Sequence, residues 1–266
     1  MSLGNPKDTE QYMSSSPFAA SGEAIEINAV MRLVYVWMFL GLLTTTFIAW
    51  YVSTSESLLE LRINGGAGIS IISFIVMIVV LFALHAGLTR SWLSPNLAAA
   101  LYFLFTGIMG FSLSLTLFMF MSETIPGANG VPVANPYYDP GAVYAAFGTA
   151  SALFGTMTLY GFTTKNDLTG WGTYLGMGLI GLIIAMFINM LIGSGPMGFL
   201  ISIVGVVLFT ALTAYDTQNI KRMSENQALR DDSNLMIKFS ILGAIKLYLD
   251  FINLFLFLLR LFGGRD

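Results

Sequence analysis

The chain has 266 residues, 56% hydrophobic and 10% charged, whereas a soluble domain carries roughly 25% charged residues; water is not its main solvent. The net charge of −3 argues against nucleic acid as a partner. The lack of cysteine excludes disulfides, zinc–thiolate sites and thiol catalysis.

Residues 1–29 are polar and Ser-rich, and they carry Asp8, Glu10, Glu23 and Glu26. They show no early basic patch followed by a short apolar core, as a secretory signal would. They read as a flexible polar tail, and insertion is expected to be driven by internal helices. Hydrophobic runs follow at 30–51, 67–88, 97–121, 142–163, 171–193, 198–217 and 238–262. Each is long enough to cross a hydrocarbon core of ~30 Å. The prediction is an all-α integral membrane protein, a seven-transmembrane-helix bundle over 30–266 embedded in a lipid bilayer. The connections are 52–66, 89–96, 122–141, 164–170, 194–197 and 218–237. Most are short, which makes successive helices neighbours in space. The 122–141 connection holds Pro126, Gly127, Gly130, Pro132, Pro136 and Pro140, so it is expected to be irregular.

Basic residues set the orientation. With the N-terminus inside, the tail and even-numbered loops hold Lys7, Arg32, Arg90, Lys165, Lys221, Arg222 and Arg230, and the opposite side holds Arg62, Arg260 and Arg265. Seven against three favours a cytoplasmic N-terminus. Gly172, Gly176, Gly178 and Gly181 crowd the fifth span, and Gly107 and Gly110 sit in the third. Small residues let helices pack closely in lipid; a glycine-lined pore is the alternative.

Three charged residues do not belong in lipid. Asp216 lies in TAYDTQNI, near the end of the sixth run, and Lys246 and Asp250 lie in the seventh. Ionisable groups inside spans are costly and usually functional. The sixth and seventh runs are consecutive and antiparallel, which would let the two carboxylates meet at similar depth. Two carboxylates in contact share a proton, which moves one apparent pKa toward neutrality. Ionised, such a pair attracts a hard cation such as Ca²⁺, so Asp216 and Asp250 are also the candidate metal-contacting residues. Lys246 and Asp250 are four residues apart on one helix face, so a local ion pair competes with this reading. His85, the sole histidine, ends the second span as a structural residue or a sensor. Arg90, five residues later, is an interface anchor or a partner for the acids. No residue takes a catalytic role, no resident cofactor is implied, and the chain is not read as an enzyme.

The runs YGFTTKNDLTGWGTYLGMGLIGLIIAMFIN (160–189), LTAYDTQNIK (212–221) and LYLDFINLFLFLLRLFG (247–263) resemble the Bax inhibitor-1/YccA family, also called the transmembrane BAX inhibitor motif family. The first run is most similar to the bacterial branch, and the resemblance covers the chain from about residue 30 to the end. It implies seven helices with the last surrounded by the other six, in a bacterial inner membrane. It implies a pH-sensitive calcium leak in which aspartates on the sixth and seventh helices, matching Asp216 and Asp250, form the pH sensor. Calcium would be the permeant ion. An arginine closing the second helix pairs with the sensor in the closed state, and Arg90 is the nearest match. Relatives also carry an acidic residue within the second helix; this chain has none between Arg62 and Arg90. A second class of function is implied too: a non-transporting modulator of a membrane protease or another membrane protein. Intramembrane aspartyl proteases also pair aspartates on consecutive helices, but their Gly-x-Gly-Asp and Pro-Ala-Leu signatures are absent.

Overall fold

The computed structural model describes residues 29–89, 92–127, 131–226 and 232–264. Its elements are α1 (Ala29–Thr54), α2 (Glu56–Asn64), α3 (Gly66–Thr89), α4 (Pro95–Met121), β1 (Thr124–Pro126), β2 (Pro132–Ala134), α5 (Pro140–Thr163), α6 (Trp171–Ile192), α7 (Gly195–Ser224) and α8 (Ser233–Gly263). Seven helices, all but α2, are long and apolar enough to cross a membrane. The seven-span, all-α membrane fold expected from the sequence is the fold observed.

The helices start where side chains can satisfy their first free amides. Ser94 accepts from Leu97 N at 3.3 Å, with Pro95 opening α4. Asp139 accepts from Ala142 N at 3.1 Å, with Pro140 opening α5. Asp232 accepts from Asn234 N at 2.8 Å and Leu235 N at 3.3 Å to open α8. A proline in the first turn costs nothing, because the amide it lacks has no helical partner there. α6 stops at Gly193, whose φ of 70° favours a residue without a side chain.

α8 is the axis of the bundle. Of its most apolar stretch 72% is buried, against 11–39% for the other six spans. It packs against α7, α5, α1, α4 and α3, while α6 lies outermost and packs along α7. Lipid supplies no hydrophobic drive between helices, so close contact does the work. Gly161 of α5 faces the backbone carbonyl of Ala214 in α7, Gly110 of α4 lies on Thr45 of α1, and Gly205 of α7 lies under the Phe257 ring of α8. Aromatic rings fill the rest: Phe251 meets Phe154 edge-on at 5.6 Å and Phe147 at 5.9 Å.

The structure amends the sequence reading in four places. The 52–66 connection contains α2, whose buried Arg62 donates to Ser70 Oγ at 2.9 Å and lies over the Phe111 ring. The 122–141 connection is not wholly irregular: β1 and β2 pair antiparallel, with Ile125 opposite Val133. Asn135 sews this hairpin to the end of α4, donating to Met119 O and Ser122 O at 2.7 Å each. α7 and α8 overrun their apolar stretches, because polar segments at their shared end stay helical in water. Of the glycines expected to pack, Gly110, Gly172 and Gly178 touch a neighbouring helix, whereas Gly107, Gly176 and Gly181 face open space.

Candidate functional site

Antiparallel pairing of α7 and α8 is fixed by Gly205 under Phe257 at one end and Gly243 beside Ile220 at the other. That register sets Lys246 level with Asp216. Lys246 Nζ donates to Asp216 Oδ1 at 3.3 Å. The local Lys246–Asp250 pair that the spacing allowed is replaced by this bond between helices. Asp250, four residues further along α8, lies about 6 Å deeper at 1.5 Å per residue. It is the eighteenth residue of the 31 in α8, near the middle of the span. The backbone positions of the two aspartates are therefore staggered by about one helical turn.

Both aspartates are buried, Asp216 at 9% exposure and Asp250 at 4%. Asp250 lies within electrostatic reach of both Asp216 and Lys246. Its Oδ2 atom is buried without a hydrogen-bond partner. Nearby in sequence, Thr217, the residue after Asp216 on α7, lies against Tyr35 of α1. Native proteins leave few buried polar groups unpaired. Among the described residues, Asp216 and Lys246 are the one pair within the spans that carry opposite charges side by side, and Asp250 is the unpartnered carboxylate near them. Two carboxylates and one ammonium leave one negative charge uncompensated, which a proton or a cation can balance.

The polar seam continues along α8. Tyr248 and Thr45 share a hydrogen bond at 2.7 Å, and Thr45 donates to Thr106 O at 2.9 Å. His85 lines a cleft with Lys246, Leu242 and Leu249 at the seam of α3 and α8. Arg90 lies outside the described residues. Among the described residues no group of three or more His, Cys, Asp or Glu could hold a metal ion. A resident Ca²⁺ takes six to eight oxygens, more than the carboxylates of Asp216 and Asp250 supply.

The residues following Asp216 have a second task that the sequence did not disclose. Gln218 Oε1 accepts from Leu168 N and its Nε2 donates to Asn166 O, both at 2.8 Å. Lys221 Nζ donates to Phe162 O at 2.9 Å and sits over the Phe162 ring. Arg222 binds Asp167 at 2.7 Å and Thr169 Oγ1 at 2.6 Å. These bonds dock the α5–α6 loop onto the end of α7. Two of the runs quoted above, 160–189 and 212–221, thus touch each other. The only available clue was their shared polarity beside apolar spans.

Residues 27–266 match the family model described as inhibitor of apoptosis-promoting Bax1. The chain is 38% identical over 241 residues to the inner membrane protein YbhL of Escherichia coli K12, covering 90% of this chain and 93% of that protein. It is 37% identical over 240 residues to a protein of Borreliella burgdorferi, covering 90% and 93%. It is 35% identical over 239 residues to one of Rickettsia prowazekii, covering 90% and 91%.

Proposed function

The chain belongs to the Bax inhibitor family, and from that premise we propose that it is a pH-sensitive cation leak channel carrying Ca²⁺, gated by Asp216 and Asp250. The supporting observation is the unpartnered Asp250 carboxylate oxygen at mid-span, beside an Asp216 that Lys246 already engages. An isolated buried charge is costly, so this arrangement favours whichever species balances it. A proton on either carboxylate and a cation between them are alternatives. That competition ties cation passage to pH. Next to Asp250 on α8, Phe251 packs edge-on against Phe154 and Phe147 of α5.

In this reading the protein is not an enzyme and needs no resident cofactor; Ca²⁺ is cargo. Its setting is a bacterial inner membrane, as the name of the Escherichia coli relative suggests, with the N-terminus and the α7–α8 turn on the cytoplasmic side. Arg90, by resemblance, latches the closed state.

Purified protein in liposomes loaded with a calcium indicator tests the proposal. Ca²⁺ entry above that of protein-free liposomes, varying between about pH 6 and pH 8, is the expected result. No flux of Ca²⁺, Na⁺ or K⁺ at any pH would overturn it and leave a non-transporting modulator of a membrane protease as the better reading.

A further inference from the structure

A cleft of about 990 Å³ opens on the hairpin side of the bundle, between α1, α4, α5 and α8. Neither Asp216, Lys246 nor Asp250 lines it. α1 and α5 are not packed together, so the cleft mouth faces the surrounding bilayer. Phe39, Trp50, Tyr144 and Phe147 form the mouth, each more than half exposed on the isolated chain. Phe251 and Phe255 of the otherwise enclosed α8 form the floor.

Three features identify the occupant. First, the walls are apolar and belong to four membrane-spanning helices, so what borders the opening is hydrocarbon. Second, Ser53, Thr54 and Ser122 of the lining sit at the ends of α1 and α4, at headgroup depth, while Thr45, Thr46 and Ser151 lie further down the slot. The hydroxyls of Ser53, Thr54 and Ser122 donate to backbone carbonyls and keep oxygen lone pairs free for a donor. Third, no charged side chain lines the cleft. An apolar slot with a wet, uncharged rim matches an amphiphile lying along the bilayer normal.

We propose that this cleft is a lateral binding site for one acyl chain of a bilayer phospholipid, with the headgroup at the Ser53–Ser122 rim. The chain would rest on α8 beside Phe251, one residue from Asp250. Because the rim is uncharged, phosphatidylethanolamine and phosphatidylglycerol should bind alike.

The test uses the full chain in vesicles of those two lipids in equal parts, doped with a phospholipid bearing a diazirine on one acyl chain. Crosslinks are mapped by peptide mass spectrometry, and lipid retained through detergent purification is counted by native mass spectrometry. The expected result is one retained lipid per chain, with crosslinks concentrated on α1, α5 and α8 around the cleft. Thr46→Phe and Ser151→Phe fill the cleft from exposed lining positions. Each should lower cleft crosslinking roughly tenfold, equivalent to about 1.4 kcal/mol. Gly181→Phe, on the open lipid face of α6, should leave it unchanged. Crosslinks spread evenly around the bundle, with no retained lipid, would mean boundary lipid only and would overturn the proposal. A crosslinked dimer through the same surface would overturn it in favour of a second copy of the chain. Should a filling variant fail to fold, the wild-type crosslink map alone decides between these outcomes.

Discussion

Lys246 reaches across to Asp216 on the neighbouring helix, at 3.3 Å, and leaves Asp250 on its own helix face without that partner. The bond costs Asp250 a counter-ion and gives Asp216 one. The acidic pair is therefore unequal: one member is engaged by a lysine about two turns before the end of α7, and the other is without a partner at the centre of α8. The lysine side chain itself is 38% exposed and the aspartate 12%, so the pair sits at the edge of the buried region.

Lys246→Met should destabilise the protein, because Asp216 loses its partner while remaining buried. Given the partial exposure of the lysine, a loss of about 1–2 kcal/mol is expected. Adding Asp216→Asn should recover most of it, since the stranded charge is then gone. Thermal unfolding in detergent of the wild type, both single variants and the double variant measures this. Simple additivity of the two losses would show that the bond contributes nothing.

Gly161→Leu should loosen the α5–α7 contact, because any side chain there meets the carbonyl of Ala214 and backbone cannot yield. Overpacking of this kind costs about 1–3 kcal/mol. Gly181→Ala, in open space on α6, should change stability by less than about 0.5 kcal/mol. Thermal midpoints of the two variants provide the comparison. Equal shifts would deny the close approach.

Asn135→Ala should release the hairpin from α4. It removes two bonds to terminal carbonyls and leaves those acceptors unsatisfied, at about 1–3 kcal/mol. Val133→Ser, on the exposed strand, should be neutral. Limited proteolysis between residues 122 and 139 reads the difference. Equal cleavage rates in Asn135→Ala and the wild type would mean that the hairpin does not depend on this side chain.

Asp167 supplies a pH dependence with a definite sign. Hydrogen bonds from Thr169, then from Arg222, pull its pKa from 3.8 to about 2. The folded value is depressed, so the stabilisation is fully present above the unfolded value and disappears as pH falls through about 2. The difference in thermal stability between wild type and Asp167→Asn should be constant above about pH 4 and vanish by about pH 2. Asp167 is exposed, so the effect is small. A difference that instead grows as pH falls would contradict the assignment.

The spans were legible because hydropathy over some twenty residues reports the solvent directly. Their ends were not. QNIKRMS and SNLMI read as loop on polarity, yet both are helical, since a helix that leaves the bilayer keeps its own backbone bonds. α2 escaped notice because nine residues with balanced polarity leave no apolar signature. The hairpin hid behind its prolines, which sit at the strand ends where no ladder amide is needed. Asp216 and Asp250 stood out as charges among apolar neighbours. Their relation to Lys246 did not, because it depends on the α7–α8 register, and the visible four-residue spacing pointed to the wrong aspartate. The central place of the last helix came from the resemblance, and its burial agrees.

The most direct test of the account is the pH dependence of Ca²⁺ flux in liposomes carrying wild type, Asp216→Asn, Asp250→Asn and the double variant, measured between about pH 6 and pH 8. Asparagine keeps the shape and removes the charge. On the proposed pairing, each single change should flatten the response and the double change should add little. Two single variants that both retain the wild-type pH midpoint would contradict the account and reduce the aspartates to structural hydrogen-bonding residues.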